Sequence, residues 1–400
     1  MSELLSVAEA DQRIRARMPF FGSERLPLDA VMGRVLHQEV QAERDQPPFD
    51  RVMMDGIAIM LGDGATRAFR RDGAQLAGMS GRVLRDPGAC IEVTTGAMLP
   101  DGCDGVIPIE HTRREGEQFV LLDSCVPAHR QFIHARGSDC RAGAALLAPG
   151  LRIRAPEMAV LAANGVAEVE VARRPSVAIV ATGDELAEVD EPLAPGQIRR
   201  SNDRALATAL AARGFDDVQL VRVPDELQAT RRKLAELLAS RQVLVVSGGV
   251  SVGQRDYVPE ALRSLGVEEV LHRVAQRPGK PLWFGIGPQG QAVFALPGNP
   301  VSALVCAARY LLPALERAIG LAPPEPMRVA LAEAAATHPA LTCFVPVRLH
   351  HDAEGRAWAR PLPCRTSGDF SALPQTHGVV ELPPAGAAAA AGSAVVFHGW

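Results

Sequence analysis

The feature that most constrains this chain lies between residues 176 and 320, where apolar runs recur without the alternation of a one-sided strand. SVAIVA (176–181), VLVVS (243–247) and AVFAL (292–296) are short and β-rich, and VQLVRV (218–223) reads as a fourth strand. Between and after them, NDRALATALAARGF, LQATRRKLAELLAS, PEALRSLG and VSALVCAARYLLPALERAIG carry apolar residues at helical spacing. A strand that is apolar on both sides has to be covered on both faces. Interleaved helices supply that cover, so the pattern predicts a doubly wound α/β domain on a parallel sheet.

The flanking sequence has a different rhythm. Residues 3–17 predict a short leading helix, and RLPLDAVMGRVLHQEV (25–40) predicts a second amphipathic helix opened by Asp29. From about 48 to 138 the runs CIEVTT, GVIPIE and QFVLLD, separated by Gly, Pro and Asp turns, predict a small β domain. Residues 140–173 give turns, a helix over 156–164 and a short strand. After PPEPM (323–327) the segments FVPVRL, AWARPL, GVVELP and SAVVFHG predict a compact C-terminal β domain, and GAAAAAG from Gly386 is a loop.

Four hundred residues exceed one ordinary core, so two to four domains are expected. A net charge of −4 argues against nonspecific nucleic-acid binding, which needs a basic surface. The seven cysteines are odd in number and never spaced C-x-x-C, which favours reduced thiols over a disulfide framework or a zinc site. The N-terminal residues contain no signal-peptide core and no run approaches a membrane span. A cytoplasmic protein is the expectation.

In an open α/β sheet, ligands sit at the carboxyl ends of the strands. Three strand ends here run into loops of unusual composition. SVAIVA leads into Thr182, Gly183, Asp184 and Glu185; VLVVS leads into Gly248, Gly249, Val250 and Ser251, with Asp256 close behind. AVFAL leads into the bend PGNP (297–300), where Asn299 reads as an N-cap and Pro300 as a first-turn proline. Free N–H groups of that helix end would point at whatever occupies the bend. Small residues admit a phosphate to the backbone, and the neighbouring carboxylates suit a hard cation. Arg273, Arg277 and Lys280, in HRVAQRPGKP, supply positive charge for an anion. GIGPQG (285–290) matches G-x-G-x-x-G but precedes a strand, so it reads as a hairpin turn, and no P-loop motif occurs. In the small β domain, Asp50, Asp101 and Asp104 read as solvated turn residues. Asp55, between methionines and Gly-Ile-Ala, reads as a less solvated carboxylate in need of a partner or a task.

Taken in order, PPFDRVMMDGIA, TTGAMLPDGCDGVIPIE, RGSDCRAGAALLAPG, ATGDELAEV, GQIRRSN, SGGVSVGQRDY, RPGKP, LPGNPVSA and SGDFSAL…GVVELP resemble the molybdopterin molybdenumtransferase family, the bacterial MoeA proteins and the E domain of gephyrin. The resemblance covers nearly the whole chain, and LPGNPVS with SGGVSVG is its specific part. It implies a central α/β molybdopterin-binding-like domain at 174–324, β-rich domains at 48–138 and 325–400, and an elongated domain formed by 1–47 with 139–173. It further implies a Mg²⁺-dependent transfer of molybdate into adenylylated molybdopterin with release of AMP. The implied assembly is a homodimer whose cleft lies between the α/β domain of one subunit and the small β domain of the other. Partners would extend to the molybdopterin adenylyltransferase and the downstream molybdoenzymes. Carried over by position, the working residues are Asp55, Thr95, Asp139, Glu185, Asp225, Asp256, Arg273, Arg277, Pro297, Pro300 and Ser371. Asp55, Glu185 and Asp256 would be catalytic, and Glu185, Asp225 and Asp256 would hold metal. Gly248, Gly249, Ser251 and Lys280 join the substrate contacts.

The chain departs from the family pattern at four of these neighbourhoods. Val52 stands for a serine, Ile57 for a tyrosine, and Arg273 and Arg277 for lysines. Arginine keeps the charge and changes its shape. An adenylyltransferase acting on the same pterin and a non-catalytic scaffold are the alternative readings. The first requires productive ATP binding, and the second has no use for the carboxylates at 55, 185 and 256.

Overall fold

A computed structural model of the chain describes residues 4–62, 65–250, 257–362, 364 and 366–400. Ser251 and Asp256, both expected in the site, lie outside the described residues.

The central sheet has six strands in the order Val218–Val223, Val177–Thr182, Val243–Ser247, Ala292–Leu296, Trp283–Ile286 and Glu268–His272. The first four are parallel, while the last two run antiparallel to their neighbours. The all-parallel expectation therefore needs correcting at one edge. The reason is local: five residues join Trp283–Ile286 to Ala292–Leu296, too few for a crossover, so the two can pair only as a hairpin. Gly290 turns that hairpin with a φ of +86°.

Apolar residues on both sides of the strands meet separate helical layers. Val177, Ile179, Val243, Val245 and Phe294 pack with Leu206, Leu210, Val301 and Val305 on one face. Ala178, Val180, Leu244, Val246 and Val293 pack with Leu234, Leu238, Val258 and Leu262 on the other. Fully burying one such Val, Leu or Phe contributes about 1.5–3 kcal/mol, so both faces need their cover. The last helix of the layer is not uniform. Pro300–Cys306 and Leu312–Ala318 are α-helical, and Ala307–Leu311 between them forms a π-turn. Pro313 lacks an N–H and crowds the carbonyl four residues back, which explains why the regular ladder is interrupted just before it.

The predicted helix over 25–40 is not formed. Ser23–Pro27 is a strand paired with Glu168–Ala172, followed by a 3₁₀ turn, Leu28–Ala30, that contains Asp29. Val40–Gln41 then pairs with Ala145–Leu147. Pro27 and Gly33, the latter at φ +72°, break the helical path. Val31, Leu36 and Val40 find their apolar partners in Ile153, Leu161, Val169 and Val171 instead. Pairing across more than a hundred residues outweighs local periodicity.

Residues 56–121 contain a six-stranded sheet, and the C-terminal strands form another in which Thr342–His351 pairs with both Ala357–Pro361 and Gly378–Leu382. The short strand Gln276–Arg277 joins that C-terminal sheet through Thr342 and Cys343, stitching an α/β loop to the neighbouring sheet. The chain enters and leaves the small β region through a ribbon of Arg51–Val52 against Ile133–His134. All seven cysteines are free thiols. No helix among the described residues is long and apolar enough to cross a membrane.

Candidate functional site at the strand ends

Val177–Thr182, Val243–Ser247 and Ala292–Leu296 are adjacent, parallel and in register, so Ala181, Ser247 and Leu296 line up and their following loops share one rim. Close packing there demands glycine. Gly248 sits at φ +101°, and a Cβ on it would lie 2.7 Å from the Thr182 hydroxyl and 2.8 Å from the Thr182 carbonyl. The same Gly248 contacts Gly298 of the adjoining bend, where a Cβ would meet the Gly248 Cα at 3.6 Å.

Asn202, at the start of helix Asn202–Ala211, ties two of these strand ends together. Its side-chain amide donates to the Ser247 hydroxyl at 3.0 Å and to the Gly298 carbonyl at 2.8 Å. The main-chain N–H of Asp225 donates to the Asp184 carboxylate at 3.0 Å, joining the loop after Val177–Thr182 to the loop after Val218–Val223.

The rim opens into a cleft of about 1990 Å³. Glu185, Asp225, Gly248, Gly249, Arg277, Lys280, Pro297 and Pro300 all line it, so eight of the residues expected from sequence converge. Among the described lining residues, Arg199, Arg200, Arg204, Arg277 and Lys280 outnumber the carboxylates Glu185, Asp203 and Asp225. Arg200 is committed to Asp203, which is fully buried, and to Glu188, and Arg204 pairs with the same two carboxylates, whereas Arg199, Arg277 and Lys280 are exposed cations of the lining. The cleft therefore suits an anion that also carries a hard-cation partner.

The bend at 297–300 is tied more tightly than its sequence suggests. Asn299 occupies the N-cap position, but its amide donates to the Ser367 hydroxyl at 2.8 Å and caps nothing. The Val301 N–H donates to the Ser367 carbonyl at 3.2 Å, so this donor of the helix end is spoken for. The expected row of free N–H groups is corrected accordingly. Ser367, from the C-terminal region, thus ties the bend through both its hydroxyl and its carbonyl.

Other expected residues lie elsewhere. Arg273 adopts φ +72° and is not among the residues lining the cleft; its N–H donates to Leu282. Ser371 donates to Asp369 at 2.6 Å, beside Phe370, which does line the cleft. Asp55 and Thr95 belong to the small β region and Asp139 follows its ribbon, and none of the three is among the residues lining this chain's own cleft.

Asp55 is exposed, which corrects the less solvated setting inferred from its neighbours. Its partner is Thr95, whose main-chain N–H and hydroxyl both donate to the same oxygen at 2.6 and 2.7 Å. Those two donors, the main-chain one first, hold the Asp55 carboxyl below the usual carboxylate range. Asp139 accepts from His134 Nε2 at 2.7 Å, and Arg51 lies 2.9 Å from His134 Nδ1. Arginine only donates, so Nδ1 accepts and Nε2 carries the proton. Asp50 and Asp104 are not merely solvated turn residues. Asp50 accepts from Arg130 and from the Arg136 N–H, both at 2.8 Å, and Asp104 accepts from the Leu61 N–H at 2.7 Å.

Asn202 and Gln276, which carry no loop or charge signal of their own, also line the cleft, beside Thr182 of the first strand-end loop. The position of Asn202, directly after GQIRRS and opening a helix beside the glycine-rich loops, was the available signal.

Three family models together span most of the chain. "MoeA N-terminal region (domain I and II)" matches residues 5–165, "Probable molybdopterin binding domain" matches 178–317, and "MoeA C-terminal region (domain IV)" matches 328–400. A molybdopterin molybdenumtransferase of Synechocystis sp. is 37% identical over 400 residues, covering 99% of this chain and 100% of that protein. One from Bacillus subtilis is 30% identical, covering 95% and 90% respectively. The crystal structure of the molybdopterin biosynthesis MoeA protein from Pyrococcus horikoshii OT3 superposes with a TM-score of 0.83 at 25% identity, with 100% of both chains covered. With its multi-domain architecture, its strand-end cleft and these full-length likenesses, the chain belongs to the molybdopterin molybdenumtransferase family.

Proposed function

We propose that this protein is a molybdenum insertase, taking molybdate and adenylylated molybdopterin as substrates and releasing AMP. The observation that carries this reading is the strand-end cleft itself, where glycine backbone, the exposed cations Arg199, Arg277 and Lys280, and the rim carboxylates Glu185 and Asp225 face one space. Glycines 248 and 249 admit the phosphates of the pterin close to the main chain. Arg277 and Lys280 offset the charge of the diphosphate linkage and of molybdate, Arg277 with the geometry for a two-point contact.

Among the described residues no three His, Cys, Asp or Glu side chains converge on one point. Mg²⁺ does not require that: it is commonly bound through one or two carboxylates, with substrate phosphates and waters completing the octahedron. Glu185 and Asp225 on the rim fit that need and are the residues we assign to it, with Asp256 as the third carboxylate expected from sequence. Bound there, Mg²⁺ would draw charge from the phosphate oxygens as the bond to AMP is cleaved.

One chain does not complete the site. Asp55 and Thr95 do not line the cleft of their own subunit, so we infer a homodimer in which the small β domain of one copy faces the cleft of the other. In that arrangement Asp55 and its Thr95 bond, together with Asp139, would border the entry of molybdate. Arg273 and Ser371 would support this border from behind the lining residues. We assign residues 1–47 with 139–173, 48–138, 174–324 and 325–400 as the four domains, and the cytoplasm as the site of action.

The test is AMP release from adenylylated molybdopterin. Release should need both molybdate and Mg²⁺ and should yield a cofactor that activates an apo-molybdoenzyme. AMP formation from ATP and free molybdopterin would point to an adenylyltransferase, and no turnover of either would point to a scaffold.

A further inference from the structure

Behind the basic wall of the cleft lies a buried polar cluster that none of the roles above uses. Gln276 is 1% exposed, yet it immediately precedes Arg277 and lines the cleft. Its carbonyl oxygen accepts from the Tyr310 hydroxyl at 2.5 Å. Its amide nitrogen donates to the Pro278 carbonyl at 3.2 Å and approaches Cys306 Sγ at 3.6 Å. The Cys306 thiol in turn lies 3.6 Å from the Gly279 carbonyl. Tyr310 and Cys306 are both buried and sit on the helix that begins at the bend, with Tyr310 inside its π-turn.

Two consecutive carbonyls of the loop at 277–280 are thus held, that of Pro278 by Gln276, which Tyr310 fixes in turn, and that of Gly279 by Cys306 of the same helix. The fit leaves no slack: Gly279 stands at φ +94°, and a Cβ there would lie 2.5 Å from the Gln276 amide and 2.7 Å from Cys306 Sγ. Gln276 and Arg277 are also anchored sideways to Thr342 and Cys343. A buried amide, hydroxyl and thiol are costly unless every one is paired, and a hydrophobic trio would fill the same space. Their common effect is to fix the height of the backbone that carries Arg277 and Lys280.

We propose that Gln276 and Tyr310 are positioning residues that hold the loop at 277–280 so that Arg277 and Lys280 meet the anionic part of the substrate. This rests on the reading of the cleft as the pterin-phosphate and molybdate site. The helix starting at Pro300 then sets both walls, the bend at its N-terminus and the basic loop about two to three turns further on. Tyr310 is not among the lining residues and the Gln276 amide is taken up by Tyr310, Pro278 and Cys306, so the effect appears in substrate binding and leaves the chemical step in place.

Three variants of the full-length protein separate the outcomes, with KM and kcat for AMP release and thermal melting as readouts. Arg277→Ala tests the underlying reading and should raise KM. An unchanged KM there removes the loop from substrate binding and overturns the proposal with it. Tyr310→Phe keeps the ring and removes one hydroxyl. It should raise KM about tenfold with kcat within about twofold, the equivalent of one buried hydrogen bond. Gln276→Met with Tyr310→Phe replaces both partners by apolar groups of similar size, so melting should return toward that of the wild type. KM should stay raised, because nothing then holds the Pro278 carbonyl. Restoration of KM together with stability, or a normal KM in a destabilised Tyr310→Phe, would mean that the cluster is packing alone.

Discussion

The side-chain amide of Asn202 donates to the carbonyl of Gly298 at 2.8 Å, locking the first turn of one helix to the bend that opens another. The same amide reaches the Ser247 hydroxyl, so the ends of two neighbouring strands share one donor group. Asn202→Ala should leave the bend without that tie. We expect AMP release to fall about tenfold, in line with the loss of two hydrogen bonds at a half-buried residue, with Tm lowered by only a few degrees. Unchanged kinetics would show that Pro297 and Pro300 hold the bend unaided.

The Asp55 carboxyl is held low by the main-chain N–H and hydroxyl of Thr95. A carboxylate depressed in the folded state contributes its interaction above the ordinary carboxylate pKa and loses it as pH falls through the lower folded value. Thr95→Val removes the hydroxyl and leaves the N–H. The Asp55 midpoint, followed by carbon-detected NMR titration, should move up part of the way toward the ordinary range. No movement would mean that the main-chain bond alone sets it.

A stability test away from the cleft concerns helix Ala155–Ala163. Glu157 accepts from the main-chain N–H of Arg154 at 2.8 Å and from its guanidinium at 2.9 Å. The Arg154 side chain first, against the opposing effect of burial, pulls the Glu157 carboxyl down to about 2. Stability from this cap is therefore full above about 4.5 and is lost as pH falls toward about 2. Glu157→Gln keeps an acceptor for the Arg154 N–H and removes the charge, so it should cost about 0.3–1 kcal/mol at neutral pH, the usual size of a charge at a helix N-terminus. Denaturant melts of the two proteins should converge near pH 2, and an equal gap at both pH values would contradict the assignment.

How far these features could be read in advance depended on distance along the chain. The α/β core was legible because each strand, such as Val243–Ser247, carries its whole signal in five consecutive residues. The stretch around Leu26 and Leu36 was not, since its strand partner lies near Val169, more than a hundred residues away. Arg277, Lys280 and Glu185 announced themselves by charge in Gly- and Pro-rich loops. Asn202 and Tyr310 did not, because an amide or a phenol at helical spacing looks like any other helix residue until its partner across the fold is known. Asp55 was legible as special, but its exposure and its Thr95 partner came only from the turn that brings residues 55 and 95 together.

In the proposed homodimer, Asp55, which does not line the cleft of its own chain, and Glu185, which does, form a single site between two subunits. Complementation between subunits tests it directly. Asp55→Asn and Glu185→Gln homodimers should each lose at least a hundredfold in AMP release, the scale of removing one electrostatic catalytic group. Unfolded and refolded together as an equal mixture, half of the dimers would be mixed, and each of those would hold one intact site and one doubly defective site. Activity should then return to about a quarter of the wild-type value, as expected for a twofold-symmetric assembly. Verified mixed dimers that remain inactive, or either variant active on its own, would contradict the shared site.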